Sequence, residues 1–377
     1  MRCTFMRANS RSQRSSGFDA TELMGVADWS ERLVERIREA NALGTPLRIT
    51  GGDTKHFLGR QPRGEQVDVS GHTGVLSYEP TELVVTVRAG TPIAEVQAML
   101  NGSGQCLAFE PPDFGSAATI GGIVASGLSG PCRPYLGSVR DFVLGVTCVN
   151  GSGEWLHFGG QVMKNVAGYD VSRLMVGAMG TLGAILDVSF KVLPVPEAEQ
   201  TRVYEVSEDI AIAKMNEWAA QPLPLSAACY LTNELRIRLS GTEAGVAAAV
   251  RDLGGAQDPA GSLFWRALRE QQLPFFESTD VLWRLAVPPA TPPLGLPGDT
   301  LLDWGGAQRW LSSRQGDEAI RAAVQAVGGH ATRFRGGDRS LSVFHPLAPG
   351  LATLHRNLKN AFDPAGILNP GRLYEEI

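Results

Sequence analysis

Between Glu110 and Gly145 the chain reads EPPDFGSAATIGGIVASGLSGPCRPYLGSVRDFVLG, and its centre, Gly115 to Gly130, is nearly all Gly, Ala, Ser and Thr. Only Ile120, Ile123, Val124 and Leu128 are larger anchors there. Glycine loses most freedom on ordering and has no side chain to bury, so such a segment is costly to fix unless something offsets the loss. A row of backbone N–H groups offered to an anion does so, which makes the stretch a candidate cradle for a phosphate-bearing cofactor. The competing reading is a tight buried turn packed against neighbouring backbone. Two further glycine clusters favour the cradle. The strand-like PLRIT runs straight into GGDTKHFLGR, where Gly51 and Gly52 allow close backbone approach and Thr54 and Lys55 add a hydroxyl and a positive charge. Gly177, Gly180 and Gly183 stand at three-residue spacing before a long apolar strand. No P-loop and no G-x-G-x-x-G after a strand is present, so neither an NTPase nor a Rossmann fold is supported.

Other chemistries find little support. The five cysteines, Cys3, Cys106, Cys132, Cys148 and Cys229, are odd in number and never closely spaced, which excludes an obvious zinc ribbon or a self-contained iron–sulfur site and fits reduced thiols. The six histidines are scattered and form no HExxH pair, so metal chemistry is not expected. The net charge is −5, and because the first 18 residues carry four arginines, the remaining body is more acidic still, which argues against nucleic acid as a partner. With 43% hydrophobic and 19% charged residues the composition is that of a globular protein. No apolar run is long enough to span a bilayer and no secretory segment is evident, so the expected compartment is cytoplasmic.

The elements that must position these clusters follow from periodicity. Residues 1–26 are polar and Arg/Ser-rich and are expected to be a disordered extension. A helix is expected from about Trp29 to Leu43, with Asp28 and Glu31 at capping-box spacing and Gly44 ending it. Leu83 to Arg88 alternates as a strand, and Thr91 as N-cap with Pro92 at the first helical position opens a short helix that stops at Asn101-Gly102. Two strands flank a turn at Asn150 to Gly153, and a helix or loop-helix follows from Gln161. In the long strand after Gly183, Ala184, Leu186, Val188, Phe190 and Val192 form a buried face and Asp187, Ser189 and Lys191 a wet one. From about Glu197 to Arg335 strands and helices alternate as an antiparallel sheet backed by helices, a cap rather than a second cofactor fold. Five of the seven tryptophans, Trp218, Trp265, Trp283, Trp304 and Trp310, fall in it, either as a docking face or as core. Ser342 to Pro346 is expected to be a strand, LHRNLKNAF a helix, and FDPAGILNPGRLY a rigid turn pressed against the cofactor.

Taken together, GGDTKHFLGR, LAFEPPDFGSAATIGG, GLSGPCRPYLGSVRDFVLGV, FGGQVMKNVAGYDVSRL, GTLG and FHPLAPGLATLHRNLKNAFDPAGILNPGR resemble the FAD-binding domain of the vanillyl-alcohol oxidase and p-cresol methylhydroxylase (PCMH) superfamily. Within it they are most similar to the FAD-binding E subunits of bacterial glycolate oxidases, densely from Ala27 to Leu193 and again in the last 35 or so residues. The resemblance implies an α+β fold: a PCMH-type FAD-binding domain of two α+β subdomains at 27–196, a small α+β cap or docking domain at 197–335, and a C-terminal segment, 336–377, returning to the FAD domain. It implies that Gly51, Gly52, Asp53, Thr54 and Lys55 cradle the FAD pyrophosphate. Pro112, Ala118, Thr119, Gly121, Gly122, Ser126, Gly127 and Gly130 would wrap the pyrophosphate and flavin side, Gly180, Gly183 and Ile185 would lie along the ribityl and adenosine part, and Asn369 would come near the flavin.

Many relatives that attach FAD covalently have a histidine where this chain has Asp53, so the resemblance implies non-covalent FAD; His56 and Cys132 are the nearest alternative nucleophiles. Members that oxidise 2-hydroxy acids alone tend to carry clustered histidines in a larger cap, whereas this cap holds only His330. No catalytic base is nominated; Arg133, Tyr135, His345 and Arg335 are candidates of opportunity. The expected function is an FAD-binding subunit of a heteromeric glycolate oxidase (glycolate dehydrogenase). A larger catalytic flavoprotein subunit and an iron–sulfur subunit would be its partners, and it could associate peripherally with the inner membrane face. A self-sufficient hydroxy-acid or alditol oxidase and a non-catalytic flavin-binding scaffold are the alternatives.

Overall fold

The computed structural model describes residues 27–160, 170–278 and 280–377. The expected extension at 1–26, and the first part, 161–169, of the segment expected to hold a helix or loop-helix, lie outside the described residues; from 170 to the long strand that segment forms the short 3-10 helix Ser172–Leu174. The first helix, Ser30–Leu43, buries a stripe of Leu33, Val34, Ile37 and Ala40 at helical spacing and ends at Gly44 in the left-handed conformation (φ 65°). Its start differs from the expected capping box. Trp29 occupies the N-cap position without a side-chain bond, because the Asp28 carboxylate accepts from Ser30 N at 2.9 Å and from Arg88 at 2.6 Å. The helix packs on a parallel pair of strands, Leu47–Thr50 and Glu65–Asp68, and on Ile367 and Leu368 of the tail.

A five-stranded antiparallel sheet lies beside this layer, in the order Val75–Glu79, Val84–Arg88, Ala184–Lys191, Val143–Val149, Trp155–Gly159. Its middle strand corrects the expected wet face. Ala184 and Leu186 pack with the first helix, while Ile185, Val188 and Phe190 pack with the helices Ile93–Gly102 and Ile120–Ser126. Ser189 is buried and shares a 2.9 Å hydroxyl bond with Thr86. A strand covered on both faces cannot show a solvent-facing alternation. The second helix also starts one residue later than expected. Pro92 is extended (φ −57°, ψ 133°) and serves as N-cap, and the Thr91 hydroxyl accepts from Gly74 N at 2.9 Å instead.

The cap contains an eight-stranded antiparallel sheet, in the order Ala256–Gln257, Ala198–Glu205, Glu234–Gly241, Leu225–Leu231, Asp299–Asp303, Gln308–Ser313, Val281–Ala286, His330–Arg335. Helices Glu208–Ala219, Glu243–Leu253 and Asp317–Ala326 cover one face. The other face, with Ala227, Cys229, Leu282, Leu301 and Trp310, meets helix Gly261–Arg269 and, from the first unit, Leu58, Leu128 and Met179. Trp218, Trp265, Trp283 and Trp310 are buried, so they fill the core of the cap rather than forming an exposed docking face. Ser342–Pro346 is not a strand: its backbone–backbone contact with the sheet among the described residues is one bond, Arg333 N to Val343 O at 2.9 Å, before helix Pro349–Phe362 begins.

Polar contacts fasten the cap across the glycine-rich stretch. Arg238 Nη1 lies 2.7 Å from Glu110 Oε1, Glu270 Oε2 accepts from Phe114 N at 2.9 Å, and Trp304 Nε1 donates to Gly130 O at 2.9 Å. The tail is fastened by a buried ion pair. Lys359 Nζ sits 2.7 Å from Asp363 Oδ2 and also donates to Thr181 O at 2.9 Å, in the third glycine cluster.

Candidate cofactor-binding site

The three glycine clusters and the tail converge on one cleft of about 450 Å³. The first loop leaves the strand Leu47–Thr50, and Asp53 takes a left-handed conformation at φ 52°. His56 N and Leu58 N bond back to Asp53 O and Lys55 O at 3.2 and 3.1 Å. The five N–H groups from Gly51 to Lys55 donate to no acceptor among the described residues. Successive unused N–H donors on a turn with a left-handed residue form a nest for an anion. Close approach forces the glycines here: a Cβ on Gly51 would stand 2.5 Å from Thr119 Oγ1, and one on Gly52 would overlap the Ala117 carbonyl.

The second loop contributes differently. Thr119 caps the helix Ile120–Ser126, its Oγ1 accepting from Gly122 N at 3.3 Å. Ile120 N and Gly121 N are spent on Thr91 O and Ala89 O at 3.0 and 2.7 Å. This loop therefore supplies a wall of small side chains rather than free donors. The adjacent glycines have opposite tasks. A Cβ on Gly121 would come within 2.8 Å of Ala89 Cβ, whereas one on Gly122 would meet only Thr119 Oγ1 at 3.3 Å and otherwise stand in open space. Gly121 lets the helix sit on the sheet, and Gly122 keeps the cleft wide.

Positive charge gathers around these donors. Arg48, Lys55, Arg339 and Arg372 line the cleft against a single lining carboxylate, Asp53, whose Oδ2 is 3.8 Å from Arg48. Lys55 Nζ is held by Asp113 O at 3.1 Å and Thr54 Oγ1 at 3.3 Å, and burial pushes its pKa down to about 8. Burial, and then the neighbouring Arg339, lower Arg372 to about 10. The donor set, the excess of cations and the volume fit a pyrophosphate-bearing dinucleotide. Arg48, Arg339 and Arg372 escape sequence reasoning; only Arg372 carries a signal, as the last residue of NPGR.

Of the residues expected to bind the cofactor, Gly51 to Lys55, Thr119, Gly121, Gly122, Ser126, Gly180, Gly183, Ile185 and Asn369 line this cleft. Asn369 also acts as a brace: its Oδ1 accepts from Ile49 N at 2.8 Å and its Nδ2 donates to Met179 O at 2.6 Å. Ala118 lies instead in the core beneath, and Gly127 (φ 64°) closes the helix against Gly177. Pro112 and Gly130 border a second cavity, of about 30 Å³, between the first unit and the cap. His56 lines the main cleft, but Cys132 is buried, its thiol donates to Ala108 O at 2.6 Å, and burial pushes its pKa far up. Arg133 stacks 4.3 Å over Trp304, and Arg335 donates to Gln271 Oε1 at 2.6 Å. Burial raises the Tyr135 phenol, and His345 Nδ1 accepts from Ala331 N at 3.4 Å. These four do not converge on the cleft.

Comparison with known proteins agrees with this geometry. An FAD binding domain model matches residues 26–159, and a model for the C-terminal domain of FAD linked oxidases matches residues 346–373. A solved structure, alkyldihydroxyacetonephosphate synthase, superposes with a TM-score of 0.64 at 16% identity, covering 90% of this chain and 74% of that one. The molecule is an FAD-dependent oxidoreductase chain with the fold of that synthase, and its cofactor is FAD. Glycolate oxidase subunit GlcE of Escherichia coli (strain K12) is 50% identical over 355 residues, covering 94% of this chain and 100% of that protein. Glycolate oxidase subunit GlcD of Bacillus subtilis (strain 168) is 32% identical over 154 residues, 40% of this chain and 32% of that protein. The chain belongs to the glycolate oxidase E-subunit family. Among the described residues no helix is long and apolar enough to cross a membrane, and no three His, Cys, Asp or Glu side chains are grouped to hold a metal ion.

Proposed function

We propose that this chain is the FAD-carrying subunit of a complex that oxidises glycolate to glyoxylate. A larger flavoprotein subunit and an iron–sulfur subunit complete that complex in the cytoplasm or against the inner face of the membrane. Half-identity across the whole length of the E. coli subunit carries the reading. The free donors of Gly51 to Lys55 support it. In this proposal the FAD unit comprises 27–196 and 336–377, with 197–335 as the cap. The nest and the cations Arg48, Lys55, Arg339 and Arg372 hold the pyrophosphate, Gly122 and Ser126 the adjoining wall, and Gly180 to Ile185 the opposite side. Asn369 fixes both walls. The bound cofactor supplies a two-electron acceptor. Glycolate loses two electrons and two protons on becoming glyoxylate, and onward transfer falls to iron–sulfur centres in another chain. In this proposal FAD is held without a covalent bond: Cys132 is inaccessible, Asp53 cannot form one, and His56, although it lines the cleft, stands three residues beyond the position at which relatives that attach FAD carry their histidine.

The test is to purify the chain alone and with its partners, record the flavin spectrum, and add glycolate anaerobically. The isolated chain is expected to be yellow and to stay so, and the complex to bleach. A colourless chain would overturn the reading. Bleaching of the isolated chain would replace it with a self-sufficient oxidase.

A further inference from the structure

The second cavity lies where the glycine-rich stretch meets the cap, bordered by Pro112 and Phe114 on one side and by Arg284, Asp303, Gln308 and Trp310 on the other. Arg284 stands in the middle of Val281–Ala286, a strand paired on both sides, with Trp310 and Thr332 directly opposite. Its backbone is therefore fixed, and its side chain lines the cavity. Among the described residues its guanidinium has no hydrogen bond and no ion pair; its partner is the Phe334 ring, 5.8 Å away.

Other arginines around the cavity have polar partners, Arg133 excepted, which stacks on Trp304. Arg269 pairs with Glu270, Arg335 with Gln271, and Arg333 with Asp338 O. Burial, and then the like charge of Arg133, lower the Arg284 pKa to about 10. Asp303 borders the same cavity but makes no ion pair with Arg284: it accepts from Trp304 N at 2.7 Å and Gln308 Nε2 at 3.1 Å, and burial raises its pKa to about 7. His330 is lowered by burial and then by Arg284, so protonation there would only add to the positive field.

A part-buried cation without a counter-charge adds little to the stability of the fold, and removing one is often neutral or stabilising. A fixed, unpaired guanidinium facing a cavity therefore points to an anion arriving from outside. Its planar fork matches a carboxylate in two parallel bonds. At about 30 Å³ the cavity admits little more than the carboxylate end of a small molecule. We propose that it is a carboxylate site in which Arg284 binds the carboxylate of a small 2-hydroxy or 2-oxo acid. Naming glycolate or glyoxylate as the natural occupant rests on the proposed function; the anion site itself does not.

The full chain, as purified, is titrated with glycolate while its melting temperature and binding heat are followed. Glycolamide serves as the uncharged analogue and sodium chloride as the salt control. Wild type is expected to be stabilised by glycolate and by neither control. Arg284→Met is expected to melt at or above wild type without ligand and to bind glycolate at least about tenfold more weakly. Arg284→Lys, which keeps the charge but not the fork, should retain part of the response. A wild type indifferent to glycolate overturns the proposal. So does an Arg284→Met protein that binds glycolate as wild type does, or a response equalled by chloride. Flavin content of the same samples separates the two readings: a glycolate response in a chain that holds no flavin sinks the proposed function and keeps the site, and a yellow chain without the response does the reverse.

Discussion

Replacing Gly122 by alanine should raise the stability of the cofactor-free protein while weakening its hold on FAD. The new methyl group meets only Thr119 Oγ1, at 3.3 Å, a tight contact that the threonine relieves by moving a few tenths of an ångström while keeping its cap on the helix. Gly to Ala gains about 0.5–1 kcal/mol inside a helix, and the lower end applies to the third residue of a seven-residue one. On a chain of this size that is a rise in melting temperature of roughly 0.6 °C. The same methyl stands where the cleft is open, and a group forced into an occupied site costs about 1–3 kcal/mol, or roughly 5- to 150-fold in FAD affinity. Gly121→Ala is the counterpart. Its Cβ would lie 2.8 Å from Ala89 Cβ and 3.1 Å from Ala89 O, so it should destabilise the protein by about 1–3 kcal/mol with or without cofactor. Thermal melts of apo-protein and quenching of flavin fluorescence on titration give both numbers. If Gly122→Ala bound FAD as tightly as wild type, the open face of that helix would not meet the cofactor and the placement would fail.

Lys55 predicts a pH dependence. An adjacent pyrophosphate favours the charged amine, so FAD affinity should be full below pH about 8 and fall as pH rises through it, and Lys55→Met should flatten the curve. In the apo-protein the sign reverses. The buried charge is a burden below about 8 and is relieved toward the ordinary 10.5, so wild-type stability should gain on Lys55→Met over that window in urea titrations. Lys359→Met leaves the fully buried Asp363 carboxylate with only Ile367 N and Leu368 N, and should cost about 3–5 kcal/mol; a loss under about 1 kcal/mol in urea unfolding would refute the role given to this pair. Denaturing mass spectrometry should find the bare polypeptide mass, and a flavin-sized increment would contradict non-covalent binding.

The cleft was legible in the sequence because its glycines answer to backbone sterics, which act on residue type alone. Gly51, Gly52 and Gly180 each face an atom that would collide with a Cβ. Its charges were less legible. Arg48 and Arg339 lie 291 positions apart and meet only through the tertiary fold, and nothing in GGDRS marks Arg339 as a cleft residue. Alternation misled where strands are covered twice, as at Ser189, and gave no signal at Gln308–Ser313, where all six residues are buried. Helix Gly261–Arg269 went unread, although Trp265 and Leu268 mark its buried side at helical spacing. Arg284 could not be singled out, since its meaning lies in the absence of a partner.

The Asn369 amide has a consequence in time as well as in space. It ties Ile49 to Met179, so this polar bridge between the two walls of the cleft is missing until the tail has been made. Roughly 180 residues separate Lys191 from Asn369, about 10 to 35 seconds of synthesis at roughly 5–20 residues per second. Throughout that interval the glycine loops and the central strand already exist, yet the cofactor has no finished place to bind. Flavin loading must then come after translation of the cap, and a ribosome stalled within the cap would hold a colourless chain.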